Sequence, residues 1–427
     1  MGDTLRILQF STWKEPCGVA GYTEDLAGAL NQFGVRVEVH PINRRAQKYL
    51  TREEILADYQ EFTRRACAFD VAHVQHEFGF FGQGDLFKSI ADFSALLRLL
   101  DRAGIPTVAT FHTEPAFHTS WLPVLLAGRA FPAPLRWLLL GRRWKSKIGR
   151  VFGSNRKAFR AIVCSQKARL SLVKYGFDRR KIEVIPIGIY ERRKRVLDDD
   201  SQSAKRRLGY PQDTVLLSTF GFVTTSKGIL TAVNALRHLP RNYHLAIIGG
   251  PHPEPTDDLT LDRILQQTAR DPRLHERIRV TGFVDSTAVD LYHAATDICL
   301  APYTDPTQSA SAGIGWAISS GKPIITSKIP AFVEINDRAD CFVTFTPGAE
   351  HELAWHVERL YGDRALQDRL TRNAIRYAET WSWSAVAKAH IDLYRTLLTA
   401  CGRLERAAEP PAAVSEHAVQ LEPSVQK

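Results

Sequence analysis

The residues best placed for chemistry in this 427-residue chain stand just after short apolar runs. The plainest case lies within residues 296–327. An apolar run at 298–301 leads through a polar loop to Gln308-Ser309-Ala310-Ser311, a helix-forming body at 312–320, the stop Gly321 and a second apolar run at 324–326. Ser309 or Ser311 can cap that helix, and the whole reads as a βαβ crossover. Its helix start aims N–H groups and a positive dipole end at the crevice beyond the strand, which suits a pyrophosphate. Many α/β proteins carry such helices and bind nothing there. Gly18 and Gly21 follow an apolar run at 5–10 and permit a second tight strand-to-helix turn near a phosphate. The stretch 69–79 reads as a strand running into a polar loop with His76 and Glu77, and the run 105–110 leads into His112, so two imidazoles are expected on one sheet edge. A structural role competes there with a catalytic one.

These residues need a scaffold, and the pattern supplies one. Apolar runs recur at 35–39, 161–165 and 182–188, and then a charge-dense stretch covers 191–207. The alternation restarts with runs at 215–220, 244–248, 278–281 and about 341–345. Helical patterns fall at 52–66, 229–236, 350–360, 363–379 and 383–400. Short strands alternating with helices predict an α/β fold, and the length predicts two domains.

Composition narrows the classes. A hydrophobic fraction of 44% and a charged fraction of 24% are those of a soluble globular protein. The net charge of +10 favours an anionic partner. Six scattered cysteines without C-x-x-C spacing argue against a disulfide frame or a thiolate metal site. The N-terminus lacks a signal-peptide pattern and no apolar run reaches membrane-spanning length, so a cytoplasmic protein is expected. Residues 121–160 hold ten Lys or Arg and no Asp or Glu, interleaved with Trp121, Trp137 and Trp144. That suits peripheral contact with an anionic membrane at its inner face; the alternative is a solvated basic face. Nothing in the pattern supports a nucleic-acid-binding fold.

The ordered set GVAGYTEDLAGAL (18–30), FDVAHVQHEFGFFG (69–82), IPTVATFHT (105–113), VIPIGI (184–189), FGFVTTSKGI (220–229) and APYTDPTQSASAGIGWAISSGKPIITS (301–327) resembles glycosyltransferase family 4, in its mannosyltransferase-like branch. The resemblance extends to about residue 400. It implies a GT-B fold, with two Rossmann-like α/β domains facing each other across a cleft: an acceptor-side domain at 1–190 and a donor-nucleotide domain at 191–382. A C-terminal helix at 383–404 returns to the first domain, and a disordered tail covers 405–427. The implied activity is retaining transfer of a hexose, mannose by the branch, from a GDP- or UDP-linked donor to a glycan or lipid-linked acceptor, in polysaccharide biosynthesis. No metal or other cofactor is expected.

By the same resemblance the catalytic set is His112, Lys227 and Gln308, with Lys227 neutralising the diphosphate and His112 beside the reacting carbon. Gly18, Gly221, Gly249, Gln308, Ser309, Ala310 and Ser311 surround the donor, and His76 and Glu77 line the acceptor side. This chain departs from the family pattern in three places. The acid-x7-acid pair becomes Gln308 and Trp316, and Phe222 stands where an arginine is common. The departures motivate a competing reading, a non-catalytic relative that binds nucleotide or glycan as a scaffold.

Overall fold

The computed structural model describes residues 4–42, 49–81, 86–113, 156–190, 200–253, 257–308 and 311–403. In the first half the order is β1 (Arg6–Ser11), α1 (Gly18–Gln32), β2 (Arg36–Pro41), α2 (Arg52–Ala66), β3 (Val71–His76), α3 (Leu86–Arg102), β4 (Thr107–Phe111), β5 (Phe159–Val163), α4 (Gln166–Lys174) and β6 (Ile182–Val184). The strands form one parallel sheet in the order β2-β1-β3-β4-β5-β6. The second half runs α5 (Ser201–Arg207), β7 (Val215–Phe220), α6 (Ile229–Leu236), β8 (Tyr243–Ile248), α7 (Thr260–Arg270), β9 (Ile278–Val280), α8 (Ser286–Ala295), β10 (Ile298–Ala301), α9 (Ala312–Ser319), β11 (Ile324–Ser327), α10 (Pro330–Ala339), β12 (Val343–Phe345), α11 (Glu350–Gly362), α12 (Arg364–Thr380) and α13 (Trp383–Ala400). Its parallel sheet has the order β12-β11-β10-β7-β8-β9. The two-sheet α/β architecture expected from the sequence is present.

Helices cover both faces of each sheet, which is why the strands read as continuous apolar runs. Strand alternation sorts β3 between two cores. Ala72 and Val74 face Phe62, Phe93 and Leu97 from α2 and α3, whereas Val71 faces α1 and α13. The last helix therefore belongs to the first sheet's packing: Val386, Tyr394 and Leu397 of α13 are buried with Ile7, Tyr22 and Val108. The crossing between halves is tight. Ile189 donates to Trp381 O at 2.8 Å, and a Cβ on Gly188 would lie 2.2 Å from the Trp383 ring, so a side chain there would push the crossing apart.

Among the described residues no helix is long and apolar enough to cross a membrane. Residues 121–155 of the basic segment, the 191–199 connection and the tail from 404 lie outside the described residues.

Burial has a consequence for acid stability. Burial pushes His76 down to about 3 and His293 and His390 to about 4. In the unfolded chain an imidazole titrates near about 6.5, so between that pH and 4 the unfolded state binds more protons. The stability these groups contribute is complete above the unfolded value and is lost as pH falls, by up to about 1.4 kcal/mol per pH unit for each imidazole. Thermal melts are expected to show a Tm several degrees lower at pH 5 than at pH 7.5.

Candidate functional site

Parallel strands deliver their C-terminal ends to one edge of each sheet, and the loops from the two edges face each other. Between them lies a cleft of about 550 Å³. From the first half it is lined by Gly18, Tyr22 and Asp25 after β1, Glu77 after β3 and His112 after β4. The second half contributes Gly221 after β7, Lys227 before α6, Gly249 after β8, and Gln308, Ser311 and Trp316 around the start of α9. Eight of the residues named from the sequence thus meet here: Gly18, Glu77, His112, Gly221, Lys227, Gly249, Gln308 and Ser311. Ser309 and Ala310 lie outside the described residues.

His76 is the exception. Its side chain is fully buried, stacked on Phe81 at 5.3 Å and packed against Phe93 at 4.4 Å and Phe111 at 4.8 Å. The acceptor-side expectation for it is corrected: the alternation of β3 that sends Ala72 and Val74 into the α2–α3 core sends His76 with them. Its backbone still reaches the site, because its carbonyl accepts from His112 N at 3.1 Å. Glu77, one residue on, does line the cleft and accepts from the Thr113 hydroxyl at 3.0 Å.

His112 is held from beneath by a buried chain of amides. Gln75 donates from Nε2 to Gln9 Oε1 at 3.0 Å, so its Oε1 accepts from His112 Nε2 at 2.9 Å. In this arrangement Nε2 carries the proton and Nδ1 is the ring's acceptor nitrogen. The ring edge meets Tyr22 at 4.9 Å. Burial pushes the imidazole down to about 4, so it is neutral at pH 7. Two residues of α13 back this arrangement: Tyr394 OH lies 2.7 Å from His73 Nδ1, and His390 Nε2 lies 3.3 Å from Tyr22 OH. Gln75→Leu removes the acceptor that fixes the tautomer. We expect kcat to fall about 10–100-fold through misorientation of the ring while donor affinity stays within twofold. Gln75→Glu should instead favour the imidazolium and move the acid limb of the kcat–pH profile upward; steady-state kinetics across pH reads both.

On the facing side Tyr303 holds Lys227 and Ser311 together. Lys227 Nζ sits 4.0 Å from its ring centroid, a favourable place for a cation, and its hydroxyl lies 2.7 Å from Ser311 Oγ. Ser311 is the residue before α9 but does not cap it with its side chain. The expected serine cap is absent at this position because the hydroxyl is turned to Tyr303. The first-turn N–H groups of α9 are thus left without that cap beside the cleft.

Gly228 is required by shape. Its φ is +61° and a Cβ would lie 1.9 Å from Pro302 O, so the Lys227 turn is laid directly on the segment that carries Tyr303. Gly249, at φ +146°, would place a Cβ 2.0 Å from Gly221 O; these two glycines let the β7 and β8 loops touch backbone to backbone. Gly18 differs. It opens α1, lacks a positive φ, and a Cβ there would meet nothing within 4 Å. Its smallness leaves the cleft open where it lines it, and turn geometry does not demand it.

The three departures also face the cleft. Trp316 packs at 4.8 Å from Tyr190, 5.3 Å from Phe220 and 5.8 Å from His293. Tyr190 in turn donates its hydroxyl to Asp25 of α1, so an aromatic wall links the two halves. Phe222 contacts His252 at 5.1 Å and Phe283 at 6.1 Å. Gln75, Tyr190, Tyr303 and Trp383 are participants that the sequence reading missed. The signal for Gln75 was its polarity beside His73 and His76 in a strand whose other members are apolar; Tyr303 and Trp383 gave none beyond their positions in the motif and the last helix.

Residues 214–363 match the family described as glycosyl transferases group 1, and residues 16–193 match glycosyltransferase family 4. The chain belongs to glycosyltransferase family 4. The D-inositol 3-phosphate glycosyltransferase of Xylanimonas cellulosilytica is 26% identical over 258 residues, 58% of this family 4 chain and 60% of the relative. The match to the protein of the same name from Nocardia farcinica is 24% over 410 residues, 89% of this chain and 85% of that one. The chain therefore spans less than two thirds of the first of these relatives. Among solved structures, HepE of Anabaena in complex with UDP-glucose superposes with a TM-score of 0.67 at 16% identity, covering 92% of this chain and all of that one. Sucrose-phosphate synthase from Thermosynechococcus elongatus gives 0.67 at 19%, covering 93% and 100%. These likenesses establish the fold, GT-B, with two Rossmann-like domains.

Proposed function

We propose that this chain is a retaining hexosyltransferase that moves a sugar from a nucleoside diphosphate donor to a hydroxyl of a glycan or lipid-linked acceptor in polysaccharide biosynthesis. The observation that carries the reading is the meeting of Lys227, the start of α9 and His112 across one cleft. As the bond from the anomeric carbon to the diphosphate breaks, negative charge gathers on the leaving oxygens. The Lys227 ammonium and the α9 N–H groups stabilise that charge. The acceptor hydroxyl attacks from the same face and its proton passes to the departing phosphate oxygen. Neutral His112 holds the sugar next to the reacting carbon, and Gln308 hydrogen-bonds its hydroxyls.

The donor is a GDP- or UDP-hexose. The sequence resemblance favours mannose, whereas HepE, similar in fold, was solved with UDP-glucose. A thermal-shift panel of UDP- and GDP-sugars, followed by hydrolysis and transfer assays, separates them: the productive donor raises Tm and is turned over. Binding of a nucleotide sugar without turnover in the presence of acceptors would favour the scaffold reading.

A further inference from the structure

A second cluster, none of whose members lines the cleft, brings together the right atoms for a metal ion. His238 lies just beyond the C-terminal end of α6, and Glu350 and His351 open α11. One ligand atom from each, two imidazole nitrogens and a carboxylate oxygen, all fall within 4.8 Å of one another. The two imidazole rings are 4.0 Å apart between centroids. Contact that close is electrostatically adverse if both rings are protonated and favourable if both direct lone pairs at a shared cation. The carboxylate is aimed as well: Asn234, one turn back on α6, donates from Nδ2 to Glu350 Oε2 at 2.9 Å, the kind of outer contact that orients metal-binding carboxylates. The backbones beneath are fixed, because Ala235 and Leu236 of α6 share a core with Leu353, Ala354 and Val357 of α11.

We infer that His238, Glu350 and His351 bind one divalent transition-metal ion, with zinc the best fit to two imidazoles and one carboxylate. His238 and His351 are exposed, so water can complete the coordination. The ion would tie α6 to α11. Since α6 begins at Ile229, two residues after Lys227, and is only about 12 Å long, the tie would brace the far end of the helix that follows the diphosphate-facing turn. Magnesium, which demands oxygen ligands and keeps its waters, does not suit this set.

The test uses the full chain with its affinity tag removed and all metal stripped by chelator. Titration with Zn²⁺, followed by calorimetry and thermal melting, is expected to show one ion per chain and a Tm rise of a few degrees, with no rise for Mg²⁺. His238→Ala and His351→Ala are each expected to weaken binding at least about tenfold, and Glu350→Gln to weaken it less. Because both histidines are exposed, the variants should melt like the metal-free parent, which separates lost ligation from lost folding. Absence of stoichiometric Zn²⁺ binding, or equal binding by the His238→Ala/His351→Ala double variant, would overturn the assignment.

Discussion

Lys227→Ala is expected to lower kcat/KM for the nucleotide-sugar donor by about 10²–10³-fold, the usual cost of deleting one preorganised group that stabilises developing charge. Among the described residues lining the cleft, Lys227 is the one Lys or Arg, since Phe222 occupies the place of the second cation. Among the described residues no neighbouring cation is therefore at hand to take over. In the proposed mechanism Lys227 meets the diphosphate in the ground state as well as during bond cleavage, so donor KM should rise together with the fall in kcat. Folding should be little disturbed: the side chain is only partly buried, and its loss removes one cation–π contact with Tyr303. Steady-state kinetics beside a melting curve separates these effects, and a Tm within a few degrees of the parent is expected.

His112→Ala should act differently. Its ring lines the cleft from the first half and, held down to about 4 by burial, has no charge to offer a diphosphate at pH 7. Losing it should reduce kcat by about 10²-fold, at the lower end for groups that act in the transition state, with donor affinity within a factor of about three. The sign of the pH dependence follows from the same burial. The ring stays neutral throughout the ordinary assay range, so the parent enzyme should show no inflection from His112 near 6.5 and should lose this contribution only as pH approaches 4. An unchanged kcat in His112→Ala would remove the residue from the catalytic set.

The fold was legible because parallel strands buried on both faces must read as short apolar runs, and helices between them must bring glycine or polar loops to the strand ends. The same logic put His112 and the loop bearing Gln308 beyond strand ends, whereas Lys227 and the roles of all three came from the resemblance to family 4. It failed at His76, one residue before Glu77, because the sequence reading put His76 in the loop after the strand whereas it is the last, buried residue of β3; in a strand the facing direction changes at every residue. Gln75 was missed for the complementary reason: a polar side chain in the middle of a strand declares its partners only when the neighbouring strand, here β1 with Gln9, is in register. Ser311 was identified as a helix-start residue, but its choice of Tyr303 over its own helix depends on a contact between residues eight apart. The role of Gly18 came out reversed in its cause, from backbone freedom to vacant space. Which half of the molecule α13 would support depended on tertiary packing that its amphipathic pattern alone could not specify.

The central claim is that this cleft cleaves a nucleotide sugar between Lys227 and His112 and passes the sugar on. The most direct measurement is release of free nucleoside diphosphate, matched to glycoside formed and identified by mass and anomeric NMR. It is made with the parent chain, Lys227→Ala and His112→Ala under the same donor and acceptor panel. The parent is expected to show stoichiometric release and an α-linked product from an α-linked donor, and each variant a loss of about 10²-fold or more. Release that is equal in all three proteins, or a product of inverted configuration, would contradict it.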